Sequence, residues 1–226
     1  MGRGLFVTLL ILLSVNASIG QARDRYGLLT RFNLNAQIQS SWKWNTALES
    51  RQIFQEVFRN PDDRSAYTYE RTDWTNVFSR RIGLTGAGAM GYMLRRIGKD
   101  WVHRSLQQYA WTRKDDAIRW GHRFRADQTW RKEEELTWRF RYRLSVDFPL
   151  SGKRLDANEW YLKASTEYIP IIQAQNWFFE GRINIAMGYY LTDGNKFEIG
   201  WDGRGTGIFQ TTDYQGWLTL TWYYSI

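Results

Sequence analysis

The feature that most constrains this chain is a two-residue alternation held over long runs. Between positions 138 and 148, Trp138, Phe140, Tyr142, Leu144, Val146 and Phe148 alternate with Arg139, Arg141, Arg143, Ser145 and Asp147. Successive side chains of a strand point to opposite faces, so this segment presents one apolar and one charged face when extended. The same split recurs. Trp42, Trp44, Leu48 and Phe54 oppose Lys43, Asn45, Glu49 and Arg51, and Trp177, Phe179, Ile183, Ile185 and Met187 oppose Glu180, Arg182 and Asn184. At the end of the chain, Leu218, Leu220, Trp222, Tyr224 and Ile226 oppose Thr219, Thr221, Tyr223 and Ser225. No helical periodicity and no domain linker breaks the pattern.

The alternating runs fall at 28–38, 42–54, 67–80, 84–95, 102–113, 117–130, 136–148, 159–169, 177–191, 196–203 and 214–226. An up-and-down barrel closed by antiparallel pairing needs an even number of strands. The expectation is therefore an all-β, up-and-down antiparallel barrel of about twelve strands, with ten as the alternative. Pro61, Pro149 and Pro170 fall in the expected loops or at strand ends, where no ladder N–H is required. The longest connections are 55–66, 149–158 and 204–213. Among the tight turns, Thr192-Asp193-Gly194-Asn195 carries the Gly and Asn that a hairpin uses for positive φ.

Alternation alone suits a soluble barrel equally well, with its apolar face turned inward. Three features favour a membrane barrel. The runs of about 11 to 14 residues match the roughly 9 to 11 that a tilted strand needs to cross a bilayer. The last run ends at Ile226 on the apolar face, with aromatic residues close by. Positions 1–22 read as a cleaved secretory signal: Arg3, then an apolar run from Leu5 to Val15, then small residues that allow cleavage after Gly20 or Ala22. That run is too short for a spanning helix. Aromatic residues make up 17% of the chain beside 24% charged residues, a mixture that interfacial girdles and a polar lumen would accommodate. The division is thus 1–22 signal peptide and 23–226 barrel, located in the outer membrane of a Gram-negative-type cell.

The turn into Trp42-Lys43-Trp44, the central run Trp120-Gly121-His122-Arg123-Phe124-Arg125 and the following Trp138-Arg139-Phe140-Arg141-Tyr142-Arg143 resemble an uncharacterised family of outer-membrane β-barrels of the DUF2490 type. The resemblance covers most of the mature chain. It implies location and fold, and carries no activity, cofactor or site residue with it.

For chemistry, the most unusual constellation is the hairpin of the sixth and seventh runs. Arg119, Arg123, Arg125, Arg139, Arg141 and Arg143 share one face. With the turn centred near Lys132 and Glu133, Arg125 would lie opposite Arg139 and Arg123 opposite Arg141, so anions must intervene. Asp127 and Asp147 share that face, and Glu49, Asp73, Glu167, Glu180 and Glu198 read as inward on other strands. Two functions follow: a structural network of guanidinium–carboxylate pairs, or an arginine ladder guiding small solutes, anionic ones among them, through a narrow channel.

Other chemistry is sparse. The chain has no cysteine, which excludes disulfides, thiolate metal sites and cysteine nucleophiles, and it has two histidines. His103 and Ser105, two apart on one face, are the one pair from which an outer-membrane enzyme acting on lipid or saccharide could be built. No catalytic residue, cofactor or metal set is assigned. Asn60-Pro61-Asp62-Asp63 reads as a turn. Glycines between 83 and 91, Gly86 and Gly88 among them, are expected to make room for bulky inward side chains. The net charge of +8 is spread along the chain, which argues against nucleic acid. The expected partners are outer-membrane lipid and small anionic solutes.

Overall fold

The computed structural model describes residues 23–58, 67–208 and 212–226. The expected signal peptide, Pro61 and the 60–63 turn lie outside the described residues. Eleven strands follow in chain order: β1 (Arg23–Gln39), β2 (Trp42–Phe58), β3 (Thr68–Ile82), β4 (Gly86–Ile97), β5 (Asp100–Asp115), β6 (Ile118–Arg131), β7 (Thr137–Pro149), β8 (Glu159–Gln173), β9 (Asn176–Thr192), β10 (Asn195–Thr206) and β11 (Asp213–Ser225). Each pairs antiparallel with the next, and β11 closes on β1.

The expected twelve or ten strands are corrected to eleven. The eleven alternating runs correspond one to one with the strands. The parity argument failed because it assumed antiparallel closure. With an odd count, β1 and β11 run the same way, and they form a parallel ladder from Arg25–Gln215 to Asn35–Ser225. Parallel ladders have evenly spaced, slanted bonds and need no even count. The seam continues to the last residue, where Ile226 N–H donates to the Asn35 carbonyl at 2.9 Å and Gln37 N–H donates to the Ile226 carbonyl at 3.0 Å. Inside the seam, Leu29, Ile53 and Trp217 form a buried apolar cluster, with the Arg51 guanidinium 5.4 Å from the Trp217 ring.

The faces divide as the alternation requires. Phe32, Leu48, Trp74, Phe124, Phe140, Ile185, Ile199 and Leu220 are exposed outward, while Glu49, Asp73, Arg95, Arg104, Asp127, Glu167 and Asp202 are buried inward. Large rings concentrate toward the strand ends. Near the rim where β1 begins stand Tyr26, Trp101, Trp130, Trp138, Trp177 and Tyr214, and near the opposite rim stand Trp42, Phe148, Trp160, Phe197 and Trp222. The strand ends flanking the long gaps β2–β3 and β10–β11 are at the first rim, and those flanking the β7–β8 gap are at the second. Loop length therefore does not orient this barrel.

Three local expectations change. Pro170 sits within β8, outward, and not at a strand end. The β7–β8 ladder is interrupted beside it, with pairs Arg139–Ile171 and Tyr142–Tyr168 and none between, as a residue without N–H demands. Gly86 and Gly88 face outward, where a Cβ would meet the Tyr109 hydroxyl at 2.5 Å and Ile82 Cδ1 at 2.8 Å. They make room for outer side chains, not inner ones. The Thr192–Asn195 turn forms, but neither Gly194 nor Asn195 is among the positive-φ residues. Gly194 instead admits the end of β11: Ser225 N–H donates to the Gly194 carbonyl at 2.8 Å, and a Cβ would stand 2.9 Å from the Ser225 carbonyl oxygen.

Candidate functional site

All six ladder arginines lie on the inner face of β6 and β7, but the register between these strands differs from the expected one. Arg123 faces Arg143, Arg125 faces Arg141, Asp127 faces Arg139 and Arg119 faces Asp147. The connection 132–136 centres on Glu133, held at φ 62° with Glu134 N–H donating to the Arg131 carbonyl. Moving the turn centre by one position slides every partner by two, which keeps faces and changes neighbours.

Two like-charged pairs are thus bracketed by two opposite-charged pairs, and carboxylates bridge the like-charged ones. Asp127 takes Arg125 at 2.6 Å and Arg141 at 2.7 Å. Glu167 on β8 takes Arg123 at 2.8 Å and Arg143 at 3.7 Å. Arg139 reaches Glu180 on β9, and Arg119 pairs with Asp147 at 2.7 Å. Every ladder arginine therefore stands beside an acid. Glu167 also meets Arg182 at 3.6 Å and Arg141 at 4.0 Å, so four guanidiniums surround one carboxylate. Guanidinium suits such a place because its planar fork of donors can serve two acceptors at once.

The inward acids anticipated on other strands also engage cations. Glu49 holds Arg31 and Arg51, Asp73 holds Arg95 at 2.6 Å, and Glu198 holds Lys163 at 2.9 Å. Sequence reasoning missed Glu70, which pairs with Arg25 at 3.0 Å, and Asp202, which pairs with Arg204. It also left Arg182 and Arg204 out of the ladder. A signal was present: Glu49–Arg51, Arg125–Asp127, Glu180–Arg182 and Asp202–Arg204 are each two positions apart on one strand, and each forms an ion pair. Period two puts both members on one face.

His103 and Ser105 lie on the outer face of β5 and are not brought into a catalytic arrangement. His103 Nδ1 contacts the Tyr92 hydroxyl, while the Ser105 hydroxyl donates to Gln128. His122 is also outward, stacked on Trp111 with centroids 4.8 Å apart and 2.9 Å from the Tyr142 hydroxyl. Among the described residues, no group of three or more His, Asp or Glu is placed to hold a metal.

A closed, up-and-down β-barrel with an ion-paired interior and a largely apolar exterior is the class that these features define. The chain belongs to the family described as protein of unknown function (DUF2490), whose model matches residues 26–205, from β1 to the end of β10. No curated protein and no solved structure matches it.

Proposed function

We propose that this chain is an outer-membrane β-barrel of Gram-negative type, exported by the signal read at 1–22, that serves as an envelope component with its lumen closed at mid-height. The observation that carries this reading is the distribution of polarity. The outer wall is largely apolar, interrupted on β5 and β6 by Ser105, Gln107 and Gln128, and is edged by aromatic rings at both rims, while most charges point inward. Soluble proteins rarely expose contiguous apolar patches beyond a few hundred Å². A bilayer reverses that cost and favours aromatic belts at its two interfaces.

Closure follows from the lumen. Eleven strands fall between the eight that side chains fill and the sixteen that leave an aqueous channel. Pairs that skip a strand, Arg139–Glu180 from β7 to β9 and Arg123–Glu167 from β6 to β8, lay charged side chains along the inner wall and support a narrowed passage. The channel reading for small anionic solutes needs open space there. The enzyme reading needs Ser105 and His103 within reach of each other, and both are engaged elsewhere on the outer wall.

The test is a planar-bilayer measurement on the refolded protein. The expected result is insertion without steady open-pore current. A steady, anion-preferring conductance would overturn closure and restore the channel.

A further inference from the structure

The six arginines Arg123, Arg125, Arg139, Arg141, Arg143 and Arg182 and the three acids Asp127, Glu167 and Glu180 form one connected ion-pair network. Six positive charges against three negative leave a surplus of three within this network. Such a surplus is costly away from bulk water unless an anion joins it. The shortage falls on particular atoms. Among the described residues Arg143 makes no hydrogen bond, its nearest acid oxygen being 3.7 Å away, and its Nε is buried without a partner. Arg123 Nε, like those of Arg139 and Arg141, also lacks a hydrogen-bond partner among the described residues. The Arg123 and Arg143 guanidiniums stand directly across from each other and are the water-reachable members of the Glu167 group, 26% and 30% accessible against 3% for the carboxylate.

The inner face that carries them runs on to the rim where β11 ends. There a cavity of about 180 Å³ is lined by Arg119, Asp147, Lys163, Lys196, Glu198 and Tyr223, among others. Two of its acids are already engaged: Asp147 by Arg119, and Glu198 by Lys163 and by the hydroxyls of Tyr161 and Tyr223, at 2.8 and 3.2 Å. Lys196 rests 4.7 Å from the Tyr190 ring with no carboxylate in ion-pair distance among the described residues. Along β6, β7 and β8, the row that borders this cavity is Arg119–Asp147–Lys163. The next inward row is Gly121–Ser145–Ser165, and the one after it is Arg123–Arg143–Glu167. On these three strands the side chains between the cavity and the Arg123–Arg143 pair are the small ones of Gly121, Ser145 and Ser165.

We propose that this blind vestibule binds a phosphate-type oxyanion, seated between Arg123 and Arg143, with Arg119 and Lys196 along its path. Two facing guanidinium forks present parallel N–H donors to an anion with several acceptor oxygens. A doubly charged ligand offsets a surplus of three better than a single carboxylate does. The inference rests on the reading of a barrel closed at mid-lumen, which makes the vestibule a dead end for the anion.

The test is calorimetric titration of the full chain, refolded in uncharged detergent, with inorganic phosphate against chloride at equal ionic strength. A second arm uses short-chain phosphatidic acid, to separate free phosphate from a lipid headgroup. Saturable phosphate binding is expected, weakened at least tenfold in Arg143→Gln and severalfold in Arg143→Lys, which keeps the charge and loses the fork. Absence of saturable binding to the folded barrel by either probe, or equal affinity in the variants, would overturn the proposal. Should Arg143→Gln not fold, Arg143→Lys decides alone. Insertion into lipid vesicles, measured on the same preparations, reports separately on the membrane reading.

Discussion

Arg139 on β7 passes over the inner face of β8 to pair with Glu180 on β9, and Glu180 in turn holds Arg182 on its own strand at 2.5 Å. Strands that share no ladder are thereby joined through the lumen. Stability should accordingly depend on inward carboxylates that hydropathy alone would treat as surface.

Glu167→Gln is expected to be the most damaging of the single carboxylate changes. It removes the one charge shared by four guanidiniums while leaving the shape intact. Leaving buried charges uncompensated costs about 3–5 kcal/mol. Urea or thermal unfolding of the refolded variant should show the lowered midpoint, and a midpoint unchanged from the parent would mean that the network contributes little.

Phe140→Arg tests the outer face. Phe140 is 43% exposed, so in water the change should be close to neutral. Arginine costs roughly 2–4 kcal/mol at a bilayer midplane and less toward the interfaces, and Phe140 stands three positions from the start of β7. Folding yield should fall in lipid vesicles compared with detergent, and equal yields would argue against hydrocarbon at that position.

The parallel seam can be checked by cross-linking, because the chain has no cysteine of its own. Leu28 and Leu218 are ladder partners in β1 and β11. Leu28→Cys with Leu218→Cys should form a disulfide on mild oxidation, seen as altered gel mobility, whereas Leu28→Cys with Tyr224→Cys should not. The reverse result would move or invert the closing strand.

Gly188→Ala should disturb the vestibule wall. A Cβ there would stand 2.2 Å from the Tyr161 ring, whose hydroxyl donates to Glu198 at 2.8 Å. Displacing the ring should cost about 1–3 kcal/mol, as overpacking does. Denaturant unfolding gives the measurement, and tolerance of the alanine without loss would show that the ring moves freely.

Much of this architecture could be read from residue order, because period two is a local property. The outward set of Trp138, Phe140 and Phe148 and the inward set of Arg139, Arg141 and Arg143 follow from alternation alone, as do the eleven strand positions. Asp127 and Asp147 could be assigned to the arginine face for the same reason. Three things depended on distant parts of the chain. The closing partner of β1 lies some 190 positions away, at Gln215 opposite Arg25, so strand parity could not be settled locally. The opposition of Arg123 to Arg143 depends on how the 132–136 connection turns, and a one-residue difference there is invisible to alternation. The gathering of Arg123, Arg143, Arg141 and Arg182 about Glu167 depends on curvature, which brings side chains from four strands to one point on the inside of a closed wall. Sequence determined which face each residue occupies, since that is set by the backbone two bonds away. Only the closed tertiary structure decided which residues meet across it, since those distances are set by the whole ring of strands.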